Sequence, residues 1–505
     1  MHKKETLALS QFSIIIQKGE EMMRKHTLQK LSLVLCLALV LSSFYIPALA
    51  DDTDDTETEI VGPWADLVPE GSEIGTAPVH NEQNAEWEAK FEIRTFASID
   101  DRVGDLSYYF YAPEGAETSE QAYPLIFVCH GGNASFMAAE SIDGLIWSSE
   151  ERQEMLGGAY LVYPIANEST VGTWGTADEE TGELVYLNTL KALLAEIIAN
   201  ENVDTERIAV SGVSIGGYMA WSLFMDDPDT FACMYLTSAA WDYIQPTAED
   251  FATVDALDKP IWIIHAEHDE RTSYEPYVAP NEYYFKTIDN IRFTRLEWVR
   301  FGDGKIVSKV IARTGEQLGQ HASQYSVGQN MIYSDGMPYD ENYPDGFVAW
   351  LLKAFDGTVE YEHKQAYTDL NGHWAAADIE TLLQEKVIYA DIYNDIFDPD
   401  ASIDAETAAT WMRRVADSEI AVEEPLTRQA FAATVYAMLG VDGSEQITVE
   451  PFADIELVAE ENANAVNYLK QIGILRGCGD NIFSPDRVVT RAEAAAILSR
   501  CLELM

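Results

Sequence analysis

A strand that must turn straight into a helix is the feature that most limits what this chain can fold into. Arg207-Ile208-Ala209-Val210 is a short apolar, β-branched run that reads as a buried strand, and Tyr218 to Met225 is apolar and long enough to begin a helix. Between them stands Ser211-Gly212-Val213-Ser214-Ile215-Gly216-Gly217. Glycines flanking a serine tolerate a cramped turn and let neighbouring backbone come close, which lifts the hydroxyl above the sheet edge. Ser214 is therefore the candidate nucleophile. A bare Gly-x-Ser-x-Gly arises readily by chance; its weight here comes from the strand before it, the helix after it and the partners that follow in the required order.

A serine hydroxyl is a poor nucleophile until a base takes its proton and a carboxylate holds that base in the useful tautomer. The strand Pro260-Ile261-Trp262-Ile263-Ile264 delivers His265-Ala266-Glu267-His268-Asp269 at its end, where functional loops of such sheets gather, and Asp269 is the expected acid. Beyond it the chain holds His321, His363 and His373; the last two fall in the tail of the domain and in the C-terminal module, so His321 is the expected base. The residues around it, Gly319-Gln320-His321-Ala322-Ser323, carry no diagnostic pattern. An oxyanion needs two backbone N–H donors already in place. Ile215, after the serine, supplies one, and the turn His130-Gly131-Gly132-Asn133 supplies the other from Gly132 or Gly131. His265 and His268 have no third ligand nearby, so no metal and no cofactor is expected.

Around this centre the chain alternates strands and helices. Phe91 to Phe96, Leu106 to Tyr111, Tyr123 to Cys129, Tyr160 to Ile165, Phe231 to Leu236 and Ile261 to Ile264 read as strands, with an amphipathic helix from about Leu187 to Ala199. The central strands are apolar throughout, which predicts an α/β fold with a doubly wound, mostly parallel sheet covered on both faces. Two alternating runs between Phe293 and Ala312 flank Gly302-Asp303-Gly304 and predict a hairpin. The helical run Phe347 to Phe355 closes this domain near residue 356.

At 505 residues the chain exceeds one ordinary core. Its 85 acidic against 32 basic residues give a net charge of -53, which makes nucleic acid and anionic membrane surfaces poor partners. Residues 1–50 read as a signal peptide with its start at Met22 or Met23: Arg24, Lys25 and Lys30 lead, Leu31 to Leu41 is apolar, and Ala48-Leu49-Ala50 is a small-x-small cleavage site. The apolar run is too short to span a membrane, so no transmembrane segment is expected. An acidic, extended leader or linker follows over 51–87. Cys129 and Cys233 lie in apolar runs and read as free buried thiols, while the state of Cys478 and Cys501 is open.

These residues make the region 88–356 resemble the α/β-hydrolase superfamily. Within it, Val203-Asp204-Thr205-Glu206-Arg207, Ser214-Ile215-Gly216-Gly217-Tyr218 and Pro228-Asp229-Thr230-Phe231-Ala232 look like esterases of the feruloyl esterase and polyhydroxybutyrate depolymerase type. Prolyl-oligopeptidase-like peptidases share much of this wording. The resemblance implies ester hydrolysis through an acyl-enzyme on Ser214, with a plant-wall polysaccharide ester or a polyester as substrate; peptide hydrolysis is the alternative. Trp147 and Trp174 are candidates for an aromatic acyl pocket, though packing residues are the commoner case.

After a linker at 357–366 the sequence repeats itself. Tyr367-Thr368-Asp369, with Ile396-Phe397-Asp398-Pro399-Asp400, recurs as Phe452-Ala453-Asp454 with Ile482-Phe483-Ser484-Pro485-Asp486. Val489-Thr490-Arg491-Ala492-Glu493 is echoed in Leu426-Thr427-Arg428-Gln429-Ala430 of a truncated middle copy, and the first copy reads Ile403-Asp404-Ala405-Glu406 instead. Residues 367–503 thus resemble degenerate S-layer homology (SLH) repeats, a small all-helical domain. That resemblance implies retention at a bacterial cell wall through an anionic polysaccharide, with Arg491 and Arg428 as candidate ligands because a guanidinium fork matches a carboxylate. The combined expectation is a secreted, surface-retained serine esterase; a catalytically inactive wall-binding protein is the reading from a different class.

Overall fold

The structure, a computed structural model, describes residues 67–77, 82–132, 142–300, 304–310, 319–328, 330, 333–334, 337–338, 346–361, 364–422, 424–441 and 446–504. The expected signal segment, most of the leader, Asn133 and His363 lie outside these residues. In chain order the strands that concern the site are β1 (Ile74–Ala77), β2 (Glu92–Phe96), β3 (Leu106–Tyr111), β4 (Tyr123–Cys129) and β5 (Tyr160–Pro164), then β6 (Val203–Val213), β7 (Cys233–Thr237), β8 (Ile261–Ala266), β9 (Ile291–Leu296) and β10 (Ile306–Val310). Eight of them form one sheet in the order β2-β3-β5-β4-β6-β7-β8-β9. β2 and β3 are antiparallel, β3 runs antiparallel to β5, and every pairing from β5 to β9 is parallel.

The apolar strands are apolar on every residue because both faces are covered. Leu125, Phe127 and Cys129 of β4 point into one core with Leu190, Leu193, Met219 and Phe224 from the helices Leu187–Asn200 and Ile215–Asp226. Ile126 points the other way, into a second core with Phe347, Trp350 and Leu351 of the helix Phe347–Phe355. β8 divides likewise: Ile261 and Ile263 face the first core, Trp262, Ile264 and Ala266 the second. Side-chain alternation thus builds two cores from one run, each buried aliphatic contributing about 1.5–3 kcal/mol of transfer free energy. Cys129 and Cys233 are buried in this sheet, and burial pushes both thiols up.

Two expectations need correction. Among the described residues the runs on either side of Gly302-Asp303-Gly304 do not pair as the two strands of a hairpin: β9 is the edge of the main sheet beside β8, and β10 pairs in parallel with β1. Among the described residues an antiparallel bridge, Arg300 to Ile306, is what remains of it. The acidic leader accordingly supplies a strand, through the register Ile74 to Ile306, instead of trailing as extended chain.

The C-terminal region is helical: Ala376–Gln384, Ala405–Ala416, Arg428–Met438, Glu460–Gln471 and Arg491–Leu502. Its sequence repeat has a physical cause. The Asp369 carboxylate accepts the N–H groups of Phe397 (3.0 Å) and Asp398 (2.7 Å), and Asp454 accepts those of Phe483 (2.8 Å) and Ser484 (2.7 Å). Each loop so held then seats a helix belonging to another copy. Arg491 and Ala492 donate their N–H to the carbonyls of Ala401 and Pro399, and Arg428 and Gln429 donate to Arg487 and Pro485. The middle copy has no such loop, and the helix capped by Asp404 instead receives Glu424, whose carboxylate accepts the Ala405 N–H at 2.9 Å.

This region docks on the sheet domain around the short helix Glu282–Thr287, with further bonds from Lys386 to the Pro246 carbonyl (2.6 Å) and from Tyr393 to that of Arg295 (2.9 Å). Buried Glu282 accepts the Ile392 N–H at 2.5 Å; Tyr284 donates to the Gln384 carbonyl at 2.9 Å, and Lys286 to those of Asp391 (3.0 Å) and Asn394 (2.6 Å). Lys364, in the expected linker, is tied down through the Ile291 carbonyl at 2.8 Å. Buried charges with partners of this kind hold geometry, since leaving either unpaired is costly.

Phe347 is fully buried, with ring centroids 4.8 Å from Tyr235, 5.4 Å from Trp350 and 5.5 Å from Trp262. Phe347→Ala is expected to cost about 3–5 kcal/mol by urea denaturation. A loss below about 1 kcal/mol would mean that this helix does not close the second core.

Candidate active site

β6 ends at Val213 and the next helix begins at Ile215, so Ser214 alone makes the reversal, at φ 55° and ψ −126°. A non-glycine residue there is strained and persists only because its surroundings over-determine it. The Ser214 N–H is shared between the carbonyls of Ser238 (3.1 Å) and Thr237 (3.3 Å), and its carbonyl accepts the N–H groups of Gly217 and Ala240, both at 2.9 Å. Two glycines are required by contact. A methyl at Gly212 would overlap the Gly216 carbonyl, and one at Gly216 would overlap the carbonyls of Cys129 and His130. The motif is therefore a packing requirement between β4, β6 and the helix.

The same contact seats the turn after β4 against the serine: a Cβ built on Gly131 lies 3.4 Å from Ser214 Cβ, whereas one on Gly132 has open space. His130 is buried beneath the turn. Its Nε2 accepts the Ala166 N–H at 3.0 Å, its Nδ1 donates to the Gly131 carbonyl, and its ring lies 4.9 Å from that of Trp174. This role was not legible in the sequence, where His130 was one residue of a glycine turn. Trp147 and Trp174 are both fully buried and pack the interior, so neither lines an open acyl pocket.

Asp269 and His321 stand together. Nδ1 of His321 donates to both carboxylate oxygens of Asp269, at 2.9 and 2.8 Å, across 52 positions of sequence. Asp269 also accepts the N–H groups of Arg271 (2.8 Å) and Thr272 (2.9 Å). Burial works against the charge on each partner, but their attraction outweighs it: His321 is held above the usual histidine range and Asp269 below the usual carboxylate range. The hydrogen bonds of His321 among the described residues run to Asp269 and Glu270, and none reaches Ser214 Oγ. Catalytic contacts of this type often tighten only when substrate arrives. His265 lies behind the acid, its Nε2 3.4 Å from Asp269 and 3.0 Å from the Thr272 carbonyl it donates to. Burial lowers its pKa more than Asp269 raises it, so His265 is a neutral interior residue.

The two candidate polysaccharide ligands part company. Arg428 is buried, donating to the Phe483 carbonyl at 2.7 Å and to Glu493 at 2.6 Å. Its guanidinium is spent inside the module, and the expectation of an outward anion ligand fails for it. Arg491 lies over the rings of Phe397 (4.5 Å) and Trp411 (5.4 Å) and donates its Nε to the Phe397 carbonyl at 3.0 Å.

The fold and this site define the class: a serine-hydrolase-type α/β domain joined to a helical repeat module. Residues 181–279 match the prolyl oligopeptidase family and residues 451–495 match the S-layer homology domain. The first match takes in Ser214 and Asp269 and ends before His321. Over 158 residues, 31% of this chain, the protein is 30% identical to exoglucanase XynX of Acetivibrio thermocellus, spanning 12% of that protein's length. Among solved structures it is similar to a thermostable esterase, at 21% identity over 53% of this chain and 64% of that one, with a TM-score of 0.37. It is also similar to a ferulic acid esterase (16% identity, 35% and 79% covered, TM-score 0.29) and to Est1E from Butyrivibrio proteoclasticus (17%, 40% and 88%, TM-score 0.29). Among the described residues no helix is long and apolar enough to cross a membrane.

Burial holds the His130 pKa down from 6.5 to about 4, against a smaller opposing pull from the Gly131 carbonyl. The unfolded chain therefore takes up this proton first as pH falls, and the native state loses about 3 kcal/mol from this residue between pH about 6.5 and 4. Denaturation midpoints over that range should fall more steeply for wild type than for His130→Gln; parallel curves would refute the assignment.

Proposed function

We propose that this protein is a secreted serine esterase retained at a bacterial cell surface, with Ser214 as nucleophile, His321 as base and Asp269 as the acid that orients the base. The observations that carry this reading are the strained serine at the bend and a histidine whose ring is held by a buried carboxylate. Ser214 Oγ attacks the ester carbonyl and passes its proton to Nε2 of His321, while the N–H of Ile215 and one from Gly131 or Gly132 receive the oxyanion. His321 then protonates the departing alcohol, and water resolves the acyl-enzyme by the same steps in reverse order. Asp269 stabilises the imidazolium throughout, which is why a raised histidine pKa accompanies the arrangement. The substrate class we assign is an ester borne on a polysaccharide, such as that of a plant wall, or a polyester.

The S-layer homology module supplies retention, through an anionic cell-wall polysaccharide. Arg491 is the side chain we assign to that contact, since its guanidinium rests on two aromatic faces and makes no ion pair among the described residues. A second reading, a serine peptidase of the same fold, is favoured by the prolyl oligopeptidase match.

Wild type and Ser214→Ala are compared on short aryl esters and on an aminoacyl arylamide. Ester turnover that drops by about 10³-fold or more in the variant is expected. Serine-dependent turnover of the arylamide in preference to the ester establishes the peptidase reading, and no turnover by wild type leaves a binding protein. Because His321 must be neutral to act, the acid limb of kcat/KM for the ester should lie above 6.5.

A further inference from the structure

We propose that Glu270 is the positioning residue for His321: Asp269 fixes the ring, and the carboxylate next to it in sequence fixes the backbone that carries the ring. The inference rests on the Ser214, His321 and Asp269 reading and adds to it a residue that touches no reacting atom. Glu270 Oε1 accepts the Gly319 N–H at 2.6 Å, and Oε2 accepts those of Gln320 at 2.8 Å and His321 at 3.2 Å. Three consecutive backbone donors converge on one carboxylate across 49 to 51 positions of sequence.

The need for such a clamp follows from where His321 stands. It belongs to no helix or strand; the helix Gln324–Gly328 begins only after it. A base on irregular backbone has no ladder to hold its Cα, and a displacement of about 1 Å is enough to cost on the order of 100-fold in rate. Side-chain and backbone contacts replace the ladder. The Gln320 amide bridges the Val299 N–H (2.6 Å) and the Val307 carbonyl (2.8 Å). Ser323 donates its N–H to Ser238 Oγ at 3.1 Å and its hydroxyl to the Ile264 carbonyl at 3.2 Å, and the Ser238 carbonyl takes the Ser214 N–H. The segment after the histidine is thereby referenced to the bend, and Gly319 to His321 are referenced to the end of β8 by Glu270. Charge-assisted bonds are the stronger kind, and Gly319 to His321 are buried, so removing the carboxylate leaves three donors short of a partner.

The test is made on the full chain with an aryl ester, comparing Glu270→Ala and Glu270→Gln with wild type. Glu270→Ala should lower kcat by about 10- to 100-fold with KM changed less than about threefold, while Glu270→Gln, which keeps the shape and one acceptor oxygen, should recover part of the loss. The His321 imidazole, titrated by NMR, should ionise at lower pH in both variants. The charged and titratable groups facing it are Asp269, Glu270, Arg271, His265 and Asp242, and only one is removed. A carboxylate that merely stabilises the fold would lower the melting temperature and leave kcat at its wild-type value, which would overturn the proposal. Failure of the triad reading shows separately, as ester turnover that survives Ser214→Ala; hydrogen-exchange protection of the Gly319 to His321 amides, lost in Glu270→Ala if the clamp holds and unchanged if it does not, then decides the clamp without reference to activity.

Discussion

The bend at Ser214 depends on backbone lying directly against backbone. Because Gly212 and Gly216 have no side chains, the start of the helix reaches the carbonyls of Cys129 and His130, and the turn after β4 comes to rest beside the serine. The other parts of the site are positioned from this contact. Ser238, one residue beyond β7, accepts the serine N–H through its carbonyl and, through its hydroxyl, holds the segment that follows His321. One strained residue thus sets the reference for elements that arrive from four places in the chain.

At the end of β8 two adjacent carboxylates divide the work of holding His321, which arrives from far along the sequence. Asp269 meets the ring and Glu270 meets the backbone. The C-terminal module uses the same device for a different end. Asp369 and Asp454 each gather two N–H groups of a loop, and each loop seats a helix from another copy. Where the middle copy lacks that loop, Glu424 takes its place at the helix start, so the module stays closed although its sequence is degenerate. Buried Glu282 and Lys286 then join this module to the sheet domain through the module's backbone.

Several elements were legible because their cause is local. β3 and β4 and the helices Leu187–Asn200 and Phe347–Phe355 follow from apolar spacing, and the double coverage of the sheet from strands with no polar face. What misled the reading had a distant cause. Gly302-Asp303-Gly304 carries hairpin chemistry, but β10 finds a better partner in β1 from the acidic leader, so tertiary pairing overrode the turn signal. Arg428 looks like a surface ligand in its own copy because Glu493, which neutralises it, belongs to another. His130 stood out only as part of a glycine turn and Glu270 gave no signal, since the groups that give each its role, the Ala166 N–H and those of Gly319 to His321, are remote in sequence.

By itself the sequence determined the serine bend, the order of strand and helix, the two cores and the repeat in the tail, because spacing, glycine placement and side-chain alternation act over a few residues. Only the tertiary structure decided which glycine of the turn after β4 lies against the serine, which carboxylate holds the backbone of His321, which strand pairs with β10 and which arginine is spent inside the module. Those choices are contacts between segments dozens of residues apart, and a hydrogen bond depends on where its two ends meet in space, which no local pattern encodes.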